Sequence, residues 1–288
     1  MFNDDRHSWK SITTAPVTLE WYNGNSAFAD ALMTAAQQGL ARIENDTGAV
    51  PQRTVVIFIY ASSQDLQSAQ LFPPSWEGGV TFPGYDIIAI GVPTSQLDFG
   101  QRAVPHELTH WIVGQITFNS YGAGLPTWLD EGLATYGEGV LNPQYQAALQ
   151  SAIQNNHLIS VRSLSSPFSP IAQQAYISYG ESNSIVRFLI NTYGKGKMNQ
   201  LLNVFHQGST YDDALKQVYG FDQDGLDVLW RGHITVTPPT QLVEQTIPVQ
   251  PVEGGIPPVL IGVLAGLATV ALLGLGLFIE SWTWRRGR

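Results

Sequence analysis

The sequence predicts an α+β fold, with an N-terminal α/β half over residues 1–98, a helical half over 99–235 and one C-terminal transmembrane helix. Three observations predict it. Short β-branched runs and one helical pattern share the first hundred residues. Helical spacing dominates from Phe99 onward. A stretch of 21 residues without a charge, VLIGVLAGLATVALLGLGLFI, occupies Val259 to Ile279.

The elements follow in order. Val17 to Tyr22 (VTLEWY) reads as a strand, and Ser26 to Glu44 carries Phe28, Leu32, Ala35, Ala36, Leu40 and Ile43 at helical spacing. Thr54 to Tyr60 (TVVIFIY) is a β-branched run that suits a buried strand. Gly79–Phe82 and Asp86–Val92 read as two strands joined by a Pro83-Gly84 turn. Helices are expected over about residues 99–118, 127–139, 143–156, 174–193, 196–206 and 211–219, with a last one ending near Arg231.

Composition narrows the chemistry. The net charge is -9 and the body has no Lys/Arg-rich patch, so nucleic acid is not an expected partner. The chain has no cysteine, which excludes disulfide scaffolds and thiolate zinc sites. Any metal must be held by His and carboxylate.

The C-terminal end points to a lipid bilayer. Val259–Ile279 is long enough to cross a hydrocarbon core of about 30 Å as a helix. Arg285, Arg286 and Arg288 follow it in a basic tail over 280–288, while no Lys or Arg lies between Gly232 and Trp284. The positive-inside rule then puts the tail in the cytoplasm and the large domain outside, as a single-pass protein of the cell membrane. Residues 236–258 contain six prolines and read as an extended linker. Residues 1–12 hold no apolar run, so no cleavable signal peptide is expected.

Two motifs carry the chemistry. His106-Glu107-Leu108-Thr109-His110 is HExxH. On a helix, residues i and i+4 lie about 40° apart and roughly 6 Å along the axis, so both imidazoles reach one Zn²⁺. Glu107 then lies beside the metal, where it can accept the proton of an attacking water. Pro105 precedes the motif and is expected either to kink the helix or to mark a late start. Trp128-Leu129-Asp130-Glu131-Gly132-Leu133-Ala134-Thr135-Tyr136 follows, with 20 residues between His110 and Glu131. A catalytic zinc site needs three protein ligands and an open position. Glu131 can be the third if its helix packs against the first, and the Gly-rich segment 119–126 allows the reversal.

HELTH followed by WLDEGLATY resembles the HExxH…WxxEGxAxY arrangement of the gluzincin zinc metallopeptidases, above all the bacterial proteins called peptidase MA-like, and distantly the zinc aminopeptidases. The likeness covers about residues 17–232. It implies a thermolysin-like catalytic fold with one Zn²⁺ per chain, His106, His110 and Glu131 as ligands, Glu107 as catalytic base, and a peptide or protein as substrate. Ile177-Ser178-Tyr179-Gly180-Glu181-Ser182 is similar to the aminopeptidase segment whose Tyr stabilises the oxyanion, which implies that role for Tyr179, with Tyr176 as the alternative. The family's Lys-Gly is replaced here by Glu181-Ser182. The aminopeptidase Gly-x-Met-Glu-Asn strand has no counterpart, since the region reads Trp76-Glu77-Gly78-Gly79-Val80-Thr81. Gly78 and Gly79 are left as a possible edge for an extended substrate. A membrane-anchored peptidase of general specificity is therefore expected. The alternatives are an aminopeptidase-type exopeptidase and a zinc-binding recognition domain without activity. His7, His157, His206 and His233 have no partner motif and read as surface or structural residues.

Overall fold

A computed structural model describes residues 4–70, 78–82, 84–120, 122 and 124–236. The expected linker, transmembrane helix and basic tail over 237–288 lie outside the described residues, as do Trp76 and Glu77. Among the described residues no helix is long and apolar enough to cross a membrane.

Among the described residues five strands form one sheet: β1 (Lys10–Thr14), β2 (Val17–Trp21), β3 (Val55–Tyr60), β4 (Gly79–Phe82) and β5 (Ile87–Gly91), in the order β1-β2-β3-β5-β4. The centre is parallel, with β3 between β2 and β5, and both outer pairs are antiparallel. Helix α1 (Ser26–Thr47) is the crossover from β2 to β3. The run VVIFIY is apolar throughout because both of its faces are covered. Val55, Ile57 and Ile59 join the main core with Val17, Leu19, Ile88 and Ile90. Phe58 and Tyr60 join a smaller cluster with Val80 and Ala89, covered by Leu66 and Trp9.

Helices follow: α2 (Ser63–Ser68), α3 (Leu97–Thr117), α4 (Thr127–Gly137), α5 (Pro143–Gln154), α6 (Ala172–Tyr193), α7 (Lys195–His206), α8 (Tyr211–Tyr219) and α9 (Gln223–Val236). Strand β1 and helix α2 were not expected. The strand is KSITT, largely exposed and without apolar alternation, so it is held by its pairing to β2. Helix α2 has six residues, too few for a helical period to register. Helix α9 runs five residues past the expected end near Arg231.

Pro105 neither ends α3 nor starts it, for the helix begins eight residues earlier, at Leu97. The ring lies against Gly39 of α1, where an added Cβ would come within 2.4 Å of the proline Cβ. Burial against α1 thus compensates for the backbone bond that a proline removes. At the other end of α3, Trp111 Nε1 donates to Asp86 at 2.9 Å, and Arg53 pairs with the same carboxylate at 3.1 Å. These contacts tie the central helix to the β4–β5 turn. His7 is structural: its ring stacks on Tyr22 at 3.8 Å and its Nε2 lies 3.5 Å from Asp65.

Candidate metal centre

Helix α3 carries His106 and His110 one turn apart, and α4 crosses it with Glu131. Close approach of these helices depends on small residues. A Cβ at Gly137 would meet Thr109 Oγ1 of α3 at 2.1 Å. On the other side of α4, a Cβ at Gly132 would meet the Ser182 carbonyl of α6 at 2.6 Å. The glycine after Glu131 is therefore required by packing against α6. Trp128, Leu129, Leu133 and Ala134 of the same motif are fully buried.

His106 Nε2 and His110 Nε2 lie 3.2 Å apart, and Glu131 Oε2 lies 3.4 Å from the first and 3.8 Å from the second. Three ligand atoms on a tetrahedral ion at about 2.0–2.1 Å would stand about 3.3–3.4 Å from one another. The three residues form one group able to hold a metal. Neither oxygen of buried Glu131 is satisfied by a hydrogen bond among the described residues. A buried carboxylate left in this state is costly unless a cation meets it. The donor set of two imidazoles and a carboxylate, with room for a fourth ligand, fits zinc.

The far side of each ring is also held. His106 Nδ1 lies 2.8 Å from Glu138 Oε1, and His110 Nδ1 lies 3.0 Å from Asp130 Oδ1. An imidazole that gives its Nδ1 hydrogen to a carboxylate presents Nε2 as a lone pair to a metal. Asp130 sits beside Glu131 in the motif. Glu138 lies seven residues after Glu131, two turns along and on the same stripe of α4. That i+7 spacing was the available sequence signal for Glu138, and sequence reasoning missed both carboxylates.

Without a cation these carboxylates retain protons on the rings. Burial works against charge on His110, but Asp130 and Glu131 outweigh it and push the group up to about 9. His106 is likewise raised well above the usual histidine range: burial opposes its charge, and the nearby carboxylates of Glu131 and Glu138 win. Metal uptake must displace these protons.

Glu107 is buried, and its Oε2 accepts a hydrogen bond of 2.6 Å from Thr81 Oγ1 of β4. Its Oε1 has no hydrogen-bond partner among the described residues. Gly79 leaves the space that Oε1 uses, since a Cβ there would lie 3.0 Å from it. Thr81 was another residue missed. Gly79 and Thr81 share one face of β4, and that face meets Glu107. The Gly91 N–H donates to Gly78 O, so the alternation of an antiparallel pair turns the backbone groups of Gly79 and Thr81 away from β5, toward the sheet edge. Gly78 itself is bound to β5 through that carbonyl.

Tyr179 is fully buried on α6, and its hydroxyl has no partner among the described residues. Its ring stacks on Tyr145 at 5.0 Å and meets Phe168 edge-on at 5.2 Å. Burial raises its pKa well above the usual tyrosine value, and the nearby charges of Glu131 and Glu107 add to the effect, so the phenol keeps its hydrogen. Tyr176 packs on Tyr145 at 5.4 Å. Glu181, at the position of the family's lysine, accepts from Ile159 N–H at 3.0 Å, and burial pushes it up to about 8. It holds the segment before α6 in place.

A profile of the Peptidase MA superfamily matches residues 35–236, more than two thirds of the chain. No curated protein sequence matches. Among solved structures, two crystal structures of an M1 zinc metallopeptidase from Deinococcus radiodurans are similar. One, a mutant form, has a TM-score of 0.43 at 14% identity, and the other has 0.41 at 15%. Each likeness covers 77% of this chain and 49% of that chain, so the present chain spans about half the length of those structures. From the profile match across the helices that carry HELTH and WLDEGLATY, the chain belongs to the Peptidase MA superfamily.

Proposed function

We propose that this chain is a membrane-anchored zinc metallopeptidase with a thermolysin-like gluzincin catalytic fold, hydrolysing peptide bonds with water. The observation that carries the reading is the convergence of His106 Nε2, His110 Nε2 and Glu131 Oε2 beside a buried carboxylate, Glu107, that has one unpartnered oxygen. His106, His110 and Glu131 would hold one Zn²⁺. When bound, that ion supplies Lewis acidity that polarises the scissile carbonyl and acidifies water.

The remaining chemistry belongs to the chain. Glu107 Oε1 accepts the proton of the attacking water and later passes it to the leaving amine. Thr81 holds the other oxygen and so fixes the carboxylate's orientation. Tyr179 donates its hydroxyl to the oxyanion as the carbonyl carbon becomes tetrahedral. Gly78 and Gly79 mark the strand edge on which an extended peptide would lie, with the outward backbone groups of Gly79 and Thr81 available for pairing.

Strand β4 (Gly79–Phe82) carries no carboxylate to grip a free amine, which favours a general peptidase over a strict aminopeptidase. The test is cleavage of internally quenched peptides by the full zinc-loaded chain, beside aminoacyl-nitroanilides. Cleavage of the quenched peptides that stops with a chelator and returns with zinc is expected. Zinc-loaded protein inert toward every peptide would leave a zinc-binding recognition domain.

The anchoring rests on Val259–Ile279 and the three arginines after it. Protease added to intact cells or spheroplasts should release the catalytic domain. Digestion of a C-terminal tag with the domain protected would reverse the orientation and put the domain in the cytoplasm.

A further inference from the structure

The candidate centre is crowded with negative charge. Glu107, Asp130, Glu131 and Glu138 surround it, and the chain as a whole carries -9. A cation stands near this cluster, on the helix that carries the two histidines. Arg102 lies four residues before His106 on α3, one turn away and offset by about 40°, on the same side of the helix. It is half-buried. Its charge acts on the Tyr145 phenol, whose ring stacks on Tyr179 at 5.0 Å.

Arg102 differs from every other described arginine. Arg6, Arg53, Arg162 and Arg231 pair with Asp4, Asp86, Asp212 and Asp227. Arg42 and Arg187 donate to the Gly137 and Gly139 carbonyls at the end of α4. Among the described residues Arg102 has neither a hydrogen bond nor an ion pair. A guanidinium has five N–H donors in a planar fork that matches a carboxylate. The guanidinium of this half-buried residue stays open to solvent, so an arriving carboxylate can pair with it without displacing a partner in the protein.

We propose that Arg102 is a specificity-determining residue that binds a carboxylate of the peptide substrate through its guanidinium fork. This rests on the peptidase reading above. The carboxylate comes from an acidic side chain near the scissile bond or from the peptide's C-terminus. The overall charge cannot produce such a preference, because an acidic surface repels an anionic peptide.

The test uses the full chain, zinc-loaded and carrying Glu107→Gln, so that binding is read without turnover. Fluorescence anisotropy compares two pairs of labelled peptides. One pair has Glu or Gln at the positions flanking the intended scissile bond, both with amidated C-termini. The other pair has the same neutral sequence with a free or an amidated C-terminus. In one pair the carboxylate peptide should bind on the order of tenfold or more tightly, and the pair that shows it identifies the source. Adding Arg102→Met should bring that ratio to about one, and Arg102→Lys should restore part of it. A ratio taken within one preparation does not depend on the folded fraction. A ratio near one in both pairs before Arg102 is changed, no binding of any peptide, or a ratio that survives Arg102→Met overturns the proposal. Lack of hydrolysis by the parent chain would instead remove the peptidase reading, and the binding ratio would still report on Arg102.

Discussion

Glu107→Gln is expected to keep zinc and fold normally while losing peptide hydrolysis by on the order of 10²–10⁴-fold, or more where the same group acts as both base and acid. The amide has nearly the shape of the carboxylate, and the ligand atoms belong to His106, His110 and Glu131. Thr81 Oγ1 can still bond the amide oxygen in place of Oε2. What is lost is the ability to take a proton at the unpartnered Oε1. Steady-state kinetics on a quenched peptide, with zinc content and circular dichroism on the same sample, checks this. Wild-type turnover in a folded, zinc-loaded variant would assign the base to another group.

Tyr179→Phe is expected to lower kcat far more than it changes KM. The phenol is buried, keeps its hydrogen and has no partner among the described residues, so it is an unused donor that feels the charges of Glu131 and Glu107. A bond formed only as the oxyanion develops stabilises the transition state over the bound substrate. Removing one such donor costs about 2.7–4 kcal/mol, or roughly 10²–10³-fold in kcat. Folding should be preserved, because the ring contacts with Tyr145 and Phe168 remain and no hydrogen bond among the described residues is broken. A wild-type kcat would move the role to Tyr176 or remove it from tyrosine altogether.

The sequence was legible wherever one element states its own pattern. VVIFIY marks β3 because a parallel strand covered on both faces needs apolar residues at every position. The helix from Ser26 was legible through its apolar stripe, with an end three residues later than expected, where Thr47 returns its hydroxyl to the Ile43 carbonyl and Gly48 takes a left-handed cap. Strand β1 and helix α2 state no such pattern and are fixed by tertiary pairing. The late start allowed for at Pro105 does not occur, because its place inside α3 depends on Gly39, far away in sequence.

The site divides in a similar way. HELTH and WLDEGLATY each lie within one helix, so helical geometry alone brings their side chains to one face. Thr81 needed the fold, since it belongs to no motif and meets Glu107 only across the gap between β4 and α3. Glu138 is intermediate, because its spacing from Glu131 was visible but its partner, His106, sits on another helix.

The proposed chemistry requires one zinc held by His106, His110 and Glu131. Elemental analysis of the purified full chain, supplemented with zinc at neutral pH and then dialysed, tests it most directly. About one zinc per chain is predicted, falling sharply in Glu131→Ala because one of three protein ligands is gone. Zinc absent from the parent chain, or retained in full by Glu131→Ala, would contradict the ligand assignment.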